Sequence, residues 1–161
     1  LVIGLTLGAS AQAEAVGSPT VTTFTLTGGV LAITPTTAAV LSGSAPWAAS
    51  VSGSLGLVTV ADARGVTTPW VASVSSTTFT GPGPTVSTGI SYNAGAITIV
   101  LGVPTIPASV ATTLTTTAAS VVAPTSISGI NTVAWNPVLT VSLPSTALAG
   151  LYTGTLTTSV A

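Results

Sequence analysis

At 161 residues the chain fits one domain with a substantial core. It carries a single basic residue, two acidic ones and neither His nor Cys, for a net charge of −1. Only 2% of its residues are charged, against about 25% in an ordinary soluble domain, which excludes nucleic-acid binding by phosphate neutralisation and attraction to an anionic membrane surface.

Disulfides, thiolate metal sites and cysteine nucleophiles are excluded with the missing Cys. Thr and Ser make up about a third of the chain, so hydroxyls clothe the surface in place of charges. Hydroxyls hydrate but do not repel, and a surface near zero net charge promotes association. A mean hydropathy of +0.85 points the same way. No apolar run reaches the roughly 18 to 20 residues that span a bilayer.

The first stretch, LVIGLTLGASAQA, has two readings. An apolar region followed by Ala11-Gln12-Ala13 matches a secretion signal with a small-x-small cleavage site. The same residues also alternate, with Leu1, Ile3, Leu5, Leu7 and Ala9 on one face. Period two with small groups opposite describes a donor strand that inserts into a neighbour's groove, and AQAEAVGSPT reads as the linker behind it. Burying the four large aliphatics supplies at most about 6 to 12 kcal/mol before ordering costs.

From Thr22 the pattern is β throughout: short runs of Val, Ile, Leu and Thr punctuated by Gly and Pro. TVTTFTLTGGVLAIT places Phe24 and Leu26 opposite three threonines and predicts a hairpin turning at Gly28-Gly29. SLGLVTVADARG predicts a strand with Val58 and Val60 on one face, and PWVASVSSTTFT another with Trp70, Ala72 and Val74. TGPGPTVSTG is a proline-stiffened loop, since no helix follows its glycines. AGAITIVLG, nearly continuous in apolar residues, predicts a strand buried on both faces.

PASVATTLTTTAASVVAPTSISG reads as strand plus loop, because its threonines disfavour helix. WNPVLTVSLP alternates Leu139, Val141 and Leu143 against Thr140 and Ser142. LYTGTLTTSVA puts Tyr152, Leu156 and Val160 on one face, interrupted at Gly154. Eight to ten short strands with a turn about every ten residues predict an all-β fold. An antiparallel sandwich, Ig-like or jelly-roll-like, is favoured over a closed barrel. Residues 1–19 form the arm and residues 20–161 the sandwich.

Chemistry is scarce. Glu14 and Asp62 are the only carboxylates, and no catalytic base accompanies a Ser or Thr nucleophile, so no enzyme is expected. Neither a metal nor another cofactor is expected, since calcium alone takes six to eight oxygens, and no small-molecule substrate is assigned. The polar cluster Asp62-Ala63-Arg64-Gly65 ends a strand, five residues before Trp70. Asp62 and Arg64 point the same way on extended chain and Gly65 permits a turn. They form either a ligand-binding pair or an ion pair that pins a strand-to-loop junction over Trp70.

VTVADARGVTTPW and the ending AGLYTGTLTTSVA resemble the WxL-like secreted surface proteins of Gram-positive bacteria, particularly their Thr-rich actinobacterial versions. FTLTGGVLAI, SGSLGLVTVADARG, ISYNAGAI and TVAWNPVLTVSLP fall in that family's order, so the resemblance runs from about Thr22 to Ala161. It implies a β-sandwich, a place outside the cell and, for WxL domains proper, attachment to the cell wall. The two W-x-L signatures stand here as Trp70-Val71-Ala72 and Thr158-Ser159-Val160.

The resulting expectation is an extracellular structural protein, a homopolymer built head to tail by donation of the N-terminal strand. Leu1, Ile3, Leu5, Leu7 and Ala9 are its anchors; Phe24, Asp62, Arg64, Gly65, Trp70, Tyr152, Leu156 and Val160 are its fold or groove residues. The alternative is a monomeric module, released after Ala13, that binds cell-wall or surface polysaccharide through Trp47, Trp70 and Trp135.

Overall fold

The computed structural model describes residues 20–43, 45 and 47–161. The arm anchors Leu1, Ile3, Leu5, Leu7 and Ala9 lie outside the described residues. Among those described the chain is all-β, with strands β1 (Leu31–Thr34), β2 (Ser50–Ser54), β3 (Val58–Asp62), β4 (Ala72–Ser76), β5 (Ile90–Asn93) and β6 (Ile97–Leu101). These are followed by β7 (Thr112–Thr113), β8 (Ala119–Val122), β9 (Asn131–Trp135), β10 (Val138–Ser142) and β11 (Leu156–Val160). The two-residue β7 falls inside the threonine-rich stretch read as strand plus loop.

Every pairing is antiparallel, in three sheets ordered β1-β3-β9-β6, β2-β10-β5-β7 and β11-β4-β8. The fold is an antiparallel β-sandwich whose core draws on all three sheets: Val60 and Val133 from the first, Ile90 and Leu139 from the second, Ala72 and Val74 from the third. Alternation explains which side chains enter it, because successive residues of a strand face opposite ways. Val58, Val60 and Asp62 of β3 are buried, as are Ala72, Val74 and Ser76 of β4 and Leu139 and Val141 of β10. Trp70, Trp135 and Tyr92 are the largest fully buried side chains, each removing roughly 150 to 250 Å² from water.

Two expectations fail, both at the margins of the first sheet. The hairpin over residues 22–33 does not form: β1 pairs with β3, Leu31 opposite Asp62, while residues 20–28 belong to no strand. A two-residue hairpin turn needs positive φ, which neither Gly28 nor Gly29 has. Those glycines serve close approach instead, since a Cβ at Gly28 would fall within 2.2 Å of the Arg64 carbonyl oxygen. The Gly29 amide donates to the Ala63 carbonyl at 2.7 Å, and the Ala63 amide to the Val30 carbonyl at 2.9 Å. Phe24, expected in the core or a groove, is 83% exposed.

The second failure is β6, expected to be buried on both faces. It pairs with β9 alone and forms the edge of its sheet. Ile99, Val100 and Leu101 are all exposed. Strand order, not local hydrophobicity, decides which strand is central, and that order is set by residues far away in sequence.

Candidate functional site

The DARG cluster is the chain's one ionic centre among the described residues, and it is structural. Asp62 ends β3 directly opposite Asn131, the first residue of β9. The Arg64 guanidinium grips the Asp62 carboxylate with two donors, Nε to Oδ1 and Nη2 to Oδ2, both at 3.0 Å. The Arg64 amide also donates to Oδ1 at 3.1 Å. Nη2 reaches on to the Thr68 carbonyl at 3.1 Å, closing the loop that leads to Trp70. Gly65 takes a φ of 69° at the turn, a value L side chains rarely adopt.

Asn131 completes the network: its Nδ2 donates to Asp62 Oδ2 at 3.4 Å, and its Oδ1 accepts the Trp70 indole N–H at 3.0 Å. The Asp62 carboxyl is held below its ordinary value chiefly by the Arg64 hydrogen bond, which outweighs the opposing effect of burial. Arg64 is raised in turn by the same bond. The Asp62 side chain is wholly buried, and no buried side-chain polar atom among the described residues lacks a partner. With its carboxylate buried and matched, the pair fixes a strand-to-loop junction, and the Arg64 side chain stays 27% exposed.

Asn131 escaped the sequence reading. The signal was present, since Asn is depleted in strands, yet it opens the strand NTVAW, whose last three residues are apolar. A second buried pair was equally hidden: the Trp135 indole N–H donates to the Tyr92 hydroxyl at 2.8 Å. Burial raises the Tyr92 pKa, opposed in part by this bond.

These two pairs correct the glycan-stacking expectation. Trp70 and Trp135 are 0% and 1% exposed, so neither offers a ring face to a sugar. Trp47 is exposed.

Tyr152 and Leu156 each line a cleft. Tyr152 lines a cleft of about 490 Å³ together with Leu41, Val51, Phe79, Val86 and Leu148. Its hydroxyl accepts the Leu148 amide at 3.2 Å. Leu156 lines a neighbouring cleft of about 350 Å³ that shares Leu41 and Phe79 with the first. Val160 packs half-buried against the core. Among the described residues, tyrosine is the one type of ionisable side chain lining these clefts.

What remains open to a partner is apolar and extended. The outer side of β6 meets no described strand; Val100, at an irregularity in the β6–β9 register, is 62% exposed. Residues 20–28 make no hydrogen bond with any described residue, and Val21, Phe24 and Leu26 are each more than 80% exposed. An uncovered edge and an unpaired run of strand composition are the elements from which β-strand addition is built. No protein-family model, curated protein or solved structure matches the chain.

Proposed function

We propose that the chain is a secreted, non-enzymatic structural protein of the cell surface, a WxL-like β-sandwich that assembles with copies of itself by N-terminal strand addition. The observation that carries this reading is the free β6 edge, with Ile99, Val100 and Leu101 exposed along it. Sheet edges are normally guarded by Lys, Pro, inward-pointing charges or a β-bulge; Ile97–Leu101 has none of the first three, and its one irregularity, at Val100, leaves that side chain 62% exposed. The near absence of charge removes long-range repulsion between copies, and donation from one copy to the next does not close on itself, so it builds a filament.

Negative-stain electron microscopy of the full chain tests this directly. Filaments are expected from the full chain, and single particles would overturn the reading; a chain lacking residues 1–13 that still forms them places the donor strand after residue 13. Adhesion to a surface polysaccharide is the second reading, favoured only by the exposure of Trp47. It requires Trp47→Ala to abolish sedimentation with peptidoglycan.

A further inference from the structure

We infer that residues 21–27 are themselves an intermolecular strand, and that the β6 edge of a second copy receives them. This rests on the self-assembly reading and names its joint. The donor is the first half of the hairpin that does not form. VTTFTLT alternates, with Phe24 and Leu26 facing one way and Thr23, Thr25 and Thr27 the other. Its β-branched and aromatic residues suit a pleated surface, yet no described strand of its own chain pairs with it.

The acceptor must lie on another copy because the home edge is out of reach. In the order β1-β3-β9-β6, a strand added outside β6 sits four spacings from β1, about 19 Å at ordinary strand separation. Gly29 and Val30 are hydrogen-bonded to Ala63 beside β3. Only Gly28 separates Thr27 from that anchor, a span of about 7 Å fully extended. Residues 20–28 hold no place in any ladder of the described residues, so lending them breaks none of these.

Among the six edge strands, β1 adjoins β11 and β7 adjoins β8, and chemistry selects β6 over β2. The outward positions of β2 are Ser50, Ser52 and Ser54, which offer no apolar contact. β6 presents Ile99, Val100 and Leu101, with Val103 exposed just beyond. Donor and acceptor are both free of charge, so nothing repels and no register is penalised by ions.

The chain has no Cys, which makes the joint testable by mixed disulfides. Full-length Thr23→Cys or Thr25→Cys protein is mixed with isotopically heavy Thr98→Cys or Val100→Cys protein and mildly oxidised. A light–heavy disulfide is expected at least fivefold above that formed with a Ser52→Cys control on β2; equal yields would overturn the inference. Phe24→Glu, added to the Thr25→Cys copy, is expected to lower the yield at least fivefold without moving the melting temperature, since Phe24 is exposed. An unchanged yield would also overturn it. Filaments lacking the arm–β6 disulfide sink this joint and leave the filament reading standing. The disulfide in closed dimers without filaments supports the joint and sinks the filament.

Discussion

Asn131 sits directly across the β3–β9 ladder from Asp62 and divides its amide between two tasks, donating to the carboxylate and accepting from the Trp70 indole. One side chain thus ties the chain's buried charge to its most buried aromatic ring. Asn131→Leu, close in size but without either bond, orphans the indole N–H and one carboxylate lone pair. The expected loss is about 2 to 4 kcal/mol in urea unfolding, the cost of leaving buried polar groups unmet.

Removing one partner of the ion pair is expected to cost more than removing both. Arg64→Leu leaves a buried carboxylate uncompensated and is expected to destabilise by about 3 to 5 kcal/mol. Asp62→Leu combined with Arg64→Leu replaces charge by apolar contact and is expected to recover at least half of that loss. A double-mutant cycle in denaturant measures the difference, and an additive result would show that the pair does not act as a unit.

Stability is expected to depend on pH only at the extremes, because the chain has no His and no Cys side chain to titrate near neutrality. The folded-state pKa of Asp62 is lowered, so its contribution is fully present above about pH 5. That contribution is lost as pH falls through the unfolded-state value of about 4 and on through the folded value. Tyr92 shifts upward through burial, so the unfolded chain ionises first and stability falls as pH rises past about 10. Melting temperature against pH should show a plateau between these limbs, with Asp62→Asn flattening the acid limb.

The Tyr92–Trp135 bond joins β5 to β9, and therefore two different sheets. Tyr92→Phe keeps the ring and orphans the Trp135 indole N–H, with an expected cost of about 1 to 3 kcal/mol. Trp135 fluorescence is expected to stay buried in character, because the aromatic packing persists. A shift to a solvent-exposed emission maximum would instead show that the bond holds the sheets together.

How legible this fold was depends on the range of the interaction. The faces carrying Val58 and Val60, Ala72 and Val74, and Leu139 and Val141 follow from alternation within a few residues, and the structure buries all six. Asp62 and Arg64 are two residues apart, so their pairing was readable too. Asn131 lies 69 residues from Asp62, and Tyr92 lies 43 from Trp135, distances at which no local pattern operates. The same reason defeats the two edge readings: whether AITIVL is central or marginal, and whether TFTLT finds a partner, is decided by strand order.

That marginal position of β6 carries the last prediction. Val100 is 62% exposed, so Val100→Lys is expected to change folding stability by no more than about 0.5 kcal/mol, while a charge on the edge opposes strand addition. Self-association of the unaltered chain has almost no charges to screen, and light scattering should be insensitive to sodium chloride between 0.05 and 1 M. Sulfate, which strengthens apolar burial, should increase it. Val100→Lys is expected to associate weakly at low salt and to regain association as chloride screens the lysines of neighbouring copies. If the unaltered chain dissociates with added chloride, its copies are held by ionic contacts, and the apolar edge of β6 is not what joins them.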